Sequence, residues 1–340
     1  MSEGRKNKQG ERFRALLLCI VAAVAAPGAL AAKDLLLGQP VDCTLGRNCY
    51  IQQYFDRDPA EGAVADHGCG SLANDDHGGT DFAVITMQQV KAGVTVVAAA
   101  PGTVVGLRDG MPDVSSLSPA APDLEGKDCG NGVVISHGGG WLTQYCHMRQ
   151  GSVVVEKGQR VAMGTPLGLI GMSGRASFPH MHLTVRHNGE KVDPFDLTAG
   201  PSAACVQGDA AEKSIWLEPP AYIPGGLLSA GFAQEVPTIA QVRDGLNSPA
   251  VSSPKAPALV VWGYAFAGQT GDEIEIIFEG PEGEIGRHTD TLKKSQPFVL
   301  RAYGKRTPEA GWPWGVYRGT VIHRRGAQEL GRRMVETEVN

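Results

Sequence analysis

Asn131-Gly132-Val133-Val134-Ile135-Ser136-His137-Gly138-Gly139-Gly140-Trp141-Leu142-Thr143-Gln144-Tyr145-Cys146-His147-Met148 reads as two strands and the turn between them. Val133 to Ser136 and Trp141 to Gln144 are apolar runs, and the glycines after His137 supply the reversal. Folding back about that turn brings Cys129 and Cys146 nearly opposite each other, within reach of a disulfide.

The same vocabulary extends outward from this hairpin, over about residues 80 to 197. Asp81 to Thr86, Val94 to Ala98, Gly102 to Leu107, Val153 to Val155, Leu167 to Gly171 and Met181 to His187 are short β runs parted by glycine turns. No helical periodicity of useful length appears, so the region is predicted to be mostly antiparallel β. Lys157-Gly158-Gln159-Arg160-Val161 and Gly164-Thr165-Pro166-Leu167-Gly168 carry the turn chemistry of a compact barrel or hammerhead-like sheet. Arg108 to Gly130, rich in Pro, Ser, Asp and Gly, interrupts the pattern. It is expected to be a surface loop, with a lid or groove wall as the rival reading.

Residues 201–226 resemble a linker, with Pro219-Pro220 and Gly225-Gly226. Beyond them Val260, Trp262, Tyr264 and Phe266 alternate with other residues, as do Ile274, Ile276 and Phe278. Gly280-Pro281-Glu282-Gly283 supplies a turn, and further strands are predicted at Phe298 to Tyr303, Val316 to His323 and Met334 to Val339. Evenly spaced strands of this kind suggest a small β-sandwich over 227–340, with no catalytic cluster of its own. Its expected role is structural or protein-binding, with attachment to a cell wall as one possibility.

At 340 residues, 42% of them hydrophobic, the chain can build ordinary cores and needs no metal in order to fold. Its start has the form of a secretory signal over 1–31: Arg5, Lys6, Lys8, Arg12 and Arg14, then the apolar run Ala15 to Ala26, then Ala29-Leu30-Ala31. The run is short of the ~20 residues that span a bilayer, and bulky Leu18 disfavours lipidation of Cys19. Loss of this leader's five basic and two acidic residues lowers the formal net charge from -5 to -8. Nothing left resembles a nucleic-acid or anionic-membrane patch, and no stable membrane insertion is expected after cleavage. Six of the 7 cysteines remain, an even number that favours disulfides in an exported chain. Cys43 and Cys49 close a short loop in an N-terminal extension, 33–69; Cys129 pairs with Cys146; Cys69 is left with Cys205 by elimination.

The chemistry-bearing residues are His77-x-x-x-Asp81, Tyr145-Cys146-His147 and His180-x-His182. On a strand, residues two apart share a face about 6.6 Å apart, so His180 and His182 point into one space. By the same rule Tyr145 and His147 share a face and Cys146 points the other way. Gly78-Gly79 disfavours a helix between His77 and Asp81 and suggests a turn that bends both toward one ion. Two imidazoles and a carboxylate suit one zinc ion per chain, with a position left for water and further imidazoles to move protons. His67, His137, His187, His288 and His323 are read as ordinary structural or surface histidines. No His-Glu-x-x-His segment is present, which points to an imidazole as general base.

Asn131 to Gly138, Tyr145-Cys146-His147-Met148, Lys157-Gly158 to Gly174, Pro179-His180-Met181-His182 and Val192-Asp193-Pro194 together resemble a lysostaphin-type zinc metallopeptidase domain, over about 70–200. The resemblance implies a duplicated-hybrid-motif β fold and endopeptidase action on the peptide cross-links of bacterial peptidoglycan, in the periplasm or cell envelope, with stem peptides as partners. It implies His77, Asp81 and His182 as zinc ligands and His147 and His180 as non-ligand catalytic histidines. Ser173 to Pro179 and the 108–130 insertion depart from the common pattern and leave the substrate subsite open, the metal chemistry being less affected. The alternative is a non-catalytic wall-binding or regulatory protein that activates other hydrolases. Its expected mark is a missing ligand, and none is missing.

Overall fold

The computed structural model describes residues 1–2, 35–197, 214–249 and 251–340. The signal-like stretch, apart from its first two residues, and Cys205, the expected partner of Cys69, lie outside the described residues. Asp34–Asn340 forms one structural unit, built from two β regions.

The first region runs β1 (Cys49–Gln53), β2 (Thr80–Val84), α1 (Met87–Ala92), β3 (Thr95–Val97), β4 (Gly102–Arg108), β5 (Asn131–Gly138), β6 (Trp141–Met148), β7 (Arg160–Val161), β8 (Pro166–Leu169), β9 (His180–His187) and β10 (Glu190–Val192). Its main antiparallel sheet has the order β1-β2-β9-β6-β5-β4-β7, with β10 added to β9, and β3 pairs with β8 in a small second sheet. Phe82, Val84, Val133, Ile135, Tyr145, Met181 and Leu183 point to one side, where Val96, Leu167 and Ile170 complete the core. Asp81, Ala83, His180 and His182 lie on the other side, because Asp81 pairs with His182 and Ala83 with His180 across the β2–β9 ladder.

Both disulfides that fall wholly within the described residues and were expected there are formed, Cys43–Cys49 and Cys129–Cys146. Most predicted strands shift by a residue or two at their ends, and two change by more. Val153 to Val155 forms no strand: Val154 N donates to the Leu167 carbonyl, but the N–H of Val153 goes to the Asp109 carboxylate, so the pairing does not extend into a ladder. The strand beginning at Asp81 ends at Val84, since Thr86 and Gln89 form a reciprocal capping box that starts α1. Segments read as an extension and a linker contribute core: Leu37 and Val41 are buried with Ile215 and Trp216, and Leu37 N donates to Ile215 O at 2.7 Å.

The second region comprises β11 (Gly226–Ala233), α2 (Ile239–Asp244), β12 (Val251–Ser252), β13 (Ala258–Gly268), β14 (Glu273–Gly280), β15 (Gly283–Thr291), β16 (Gln296–Arg306), β17 (Gly315–Arg325) and β18 (Gln328–Val339). The sheets β11-β13-β16 and β12-β18-β17-β14-β15 enclose Phe232, Leu259, Val261, Ile276, Phe278, Tyr317 and Val321. This is the expected sandwich. Strand β13 is apolar on both faces for a reason: Leu259, Val261 and Ala265 fill the sandwich, whereas Trp262, Tyr264 and Phe266 pack with Tyr50, Ala83 and Ile85 of the first region. The second region is therefore seated on the face of the main sheet that carries Asp81 and the histidines. Among the described residues no helix is long and apolar enough to cross a membrane.

Candidate metal centre

His77 sits on the turn before β2, Asp81 on β2 and His182 on β9, and their ligand-capable atoms all lie within 4.8 Å of one another. His77 Nε2 is 3.2 Å from Asp81 Oδ1, His182 Nδ1 is 2.8 Å from the same oxygen, and the two ring nitrogens are 3.1 Å apart. The remaining ring nitrogens are held from behind. His77 Nδ1–H donates to the Tyr54 carbonyl at 2.6 Å, and His182 Nε2 meets Thr184 Oγ1 at 2.9 Å. Such supports fix tautomer and ring orientation and leave one nitrogen of each ring directed at the common point. Gly79 permits the close turn: a Cβ there would lie 2.6 Å from His182 Nε2 and 2.4 Å from the Leu183 carbonyl.

Two more imidazoles face the same space. The rings of His147 and His180 are 4.7 Å apart, and His147 is 6.0 Å from His182. His147 Nδ1–H donates to the Ser173 carbonyl and His180 Nδ1–H to the Phe178 carbonyl, each at 2.8 Å. Both Nε2 atoms are thereby left as the reactive nitrogens. The carbonyls that orient them come from one loop, Met172 to Phe178. The Arg108 to Gly130 insertion is fastened to that loop as a wall: Asp113 Oδ1 accepts from Met172 N, Ser116 N donates to Ala176 O, and Arg175 pairs with Asp128.

The expected sharing of a face by Tyr145 and His147 is corrected by the structure. Tyr145 points into the core, where its hydroxyl accepts from Ala99 N, and Cys146, opposite His182 in register, lies on the site side. His147 reaches the site because its backbone is left-handed, with φ 62°, which breaks the strand alternation at the end of β6. Of the histidines given ordinary roles, His137 is bonded to Pro101 O and Thr143, His187 stacks on Trp141, His288 on Tyr303, and His323 pairs with Asp272. His67 stacks on Phe195 within an aromatic cluster.

Burial, reinforced by the neighbouring His180 and His182, holds the His147 ring well below the ordinary histidine range, so it is a neutral proton acceptor. Burial also lowers His182, against the opposing pull of Asp81. For Asp81 burial pushes upward, but His77, His180 and the hydrogen bond from His182 outweigh it and keep the carboxylate ionised. A carboxylate and a neutral imidazole are the forms in which these groups ligate a cation. Three protein donors, two nitrogen and one oxygen, with two further imidazoles facing the same space, fit zinc of the hydrolytic kind.

Four supporting groups escaped the sequence. Tyr54, Ser173 and Phe178 act through main-chain oxygens, which have no side-chain signature. Thr184 alone carried a signal that could have found it, as the residue two beyond His182 on the same strand face.

Residues 75–194 match peptidase family M23. The chain is 34% identical over 117 residues to the peptidoglycan DD-endopeptidase ShyA of Vibrio cholerae, which covers 34% of this chain and 22% of that protein. It is 35% identical over 82 residues to the DD-carboxypeptidase/endopeptidase Mpg of Neisseria meningitidis, covering 24% and 18%. The chain thus spans about a fifth of the length of these curated relatives. Among solved structures, a putative M23 peptidase from Pseudomonas aeruginosa overlaps 48% of this chain and 50% of its own at 28% identity, with a TM-score of 0.29.

Proposed function

We propose that this chain is an exported zinc endopeptidase that hydrolyses peptide cross-links of bacterial peptidoglycan. The observation that carries the reading is the convergence of His77, Asp81 and His182 on one point beside two imidazoles whose Nδ1 atoms are already committed to carbonyls. His77, Asp81 and His182 would hold the ion, which supplies Lewis acidity toward water and toward an amide carbonyl. His147 Nε2, on a ring kept neutral by burial, takes the proton from the attacking water. The same His147 Nε2–H is then placed to return that proton to the leaving amine, and His180 Nε2, which can donate once its ring carries a second proton besides the Nδ1–H held by the Phe178 carbonyl, is placed to hold the developing oxyanion. Burial of both rings, at 7% and 9% exposure, limits competing hydration.

Export is supported by the leader-like start and by the two disulfides, which oxidising compartments maintain. The DD-peptidase names of the curated relatives favour a cross-link between D-amino acids over a glycine bridge. The complete donor set argues against a purely regulatory role.

The test is digestion of cross-linked peptidoglycan by the zinc-loaded chain, with released muropeptides followed by mass spectrometry beside His147→Ala. Dimers converted to monomers by the intact protein alone are expected. No conversion by zinc-loaded protein would overturn the assignment.

A further inference from the structure

The second region approaches the loop beside the site through Arg243. Arg243, on α2, places its guanidinium carbon 3.7 Å from the ring centroid of Phe178 and 5.1 Å from that of Phe298. Phe178 belongs to the loop that orients the two imidazoles, and Phe298 belongs to β16 of the sandwich. A guanidinium lying over aromatic faces gains from the ring quadrupole and from stacking, and its flat shape fixes the spacing between them.

The helix that carries Arg243 is itself anchored on the first region. Gln88 Nε2, in α1, donates to the Gly245 carbonyl at 2.8 Å, and Val242 packs with Tyr50, Ala83 and Ile85. Gly245 has φ 105° and would drive any side chain into Gln88, so the approach of the two helices depends on glycine there. On the other side of the contact, the Phe178 carbonyl accepts the Nδ1–H of His180, and Pro179 between them restricts the intervening backbone. The insertion holds the Met172 end of the loop through Asp113 and its middle through Ser116 and Asp128. Arg243 holds the Phe178 end.

We propose that Arg243 is a positioning residue for the catalytic imidazole of His180, so that the sandwich region is part of the active apparatus and not an appended module. This rests on the endopeptidase reading of the same site. The experiment uses the full chain, zinc-loaded, with Arg243→Ala, Arg243→Met and Arg243→Lys. Two readouts are taken: kcat and KM on a cross-linked muropeptide, and the Nδ1–H signal of His180 in 15N-edited NMR, which needs no turnover.

Arg243→Ala should lower kcat about tenfold, the order a slightly misplaced catalytic group costs, at unchanged KM and zinc content. The His180 Nδ1–H signal should broaden into exchange with water. Arg243→Lys, which keeps a charge over the Phe178 face but not the flat stack, should recover kcat only in part, whereas Arg243→Met, which keeps only bulk, should not recover it. An unchanged kcat with an intact signal would overturn the proposal. So would a raised KM at unchanged kcat, which makes Arg243 a substrate contact. If the wild-type chain cleaves no cross-link, the endopeptidase reading fails by itself. The NMR signal then still decides: lost in Arg243→Ala, Arg243 positions the ring; retained, it does not.

Discussion

Ser173 offers the sharpest test of how the strand that delivers His147 is held. Its side chain is fully buried; Oγ accepts from Asn131 N at 2.9 Å and donates to the Met148 carbonyl at 2.7 Å, pinning the start of β5 to the end of β6. In Ser173→Ala the Met148 carbonyl keeps a partner, Asn131 Nδ2 at 3.2 Å, but the Asn131 N–H loses its bond to Oγ in a buried place. One orphaned buried donor costs about 2 kcal/mol, a factor of roughly 30 in the folding equilibrium. The Ser173 carbonyl, which orients His147, belongs to the backbone and survives the change. Urea denaturation should therefore show a loss of about 2 kcal/mol at unchanged m-value, while turnover under native conditions falls less than about tenfold. A stability loss under about 0.5 kcal/mol would refute the pin, because it would mean that water or a shifted backbone satisfies Asn131 at no cost.

Burial pushes the Asp193 carboxyl up to about 7 from its ordinary value of 3.8. Its raised folded value means that stability is fully present below pH 3.8, declines as pH rises, and levels off above pH 7. Between pH 5 and 8.5 the wild type should lose about 3 kcal/mol more than Asp193→Asn, measured by denaturation at both values; parallel losses would contradict the raised carboxyl. Replacing Cys129 and Cys146 by Ser frees a loop of sequence separation 17, against 6 for Cys43 and Cys49, and should cost about 3 against about 2 kcal/mol. It should also impair turnover, since His147 N donates to the Cys129 carbonyl at 2.8 Å, and a larger loss from the shorter loop would sink the comparison. Gly79→Ala forces a methyl against His182 and should lower zinc affinity about tenfold to a hundredfold in chelator competition. Unchanged affinity would show that the turn relaxes freely.

The side chains of the centre show in the sequence as two pairs, because the spacing within each pair is local. His180 and His182 are two apart on a strand, and His77 and Asp81 flank a glycine turn, so period and turn chemistry bring each pair together. His147 faces the same space for a reason the sequence does not carry: alternation alone assigns it to the face of Tyr145, and only the left-handed backbone brings it round. That conformation depends on the Cys129 carbonyl and the loop beyond Gly171, which no local pattern encodes. Strands β1 and β15 were missed because β1 is short and β15 largely exposed and polar, without an apolar face to alternate. Helices α1 and α2 carry capping boxes at Thr86/Gln89 and Thr238/Gln241, yet at 6 residues each they show no periodicity. The two-faced burial of β13 was invisible for a different reason. A run that is apolar on both sides does not say which of two partners each side meets.

On the proposed reading, His77, Asp81 and His182 hold a catalytic cation while His147 acts on the substrate without ligating it. The most direct measurement is zinc stoichiometry by mass spectrometry, paired with turnover of a cross-linked muropeptide, for His182→Ala and His147→Ala. Loss of both metal and turnover in His182→Ala, with full metal and no turnover in His147→Ala, is the predicted result. Zinc at full occupancy in His182→Ala, or turnover retained in His147→Ala, would contradict it.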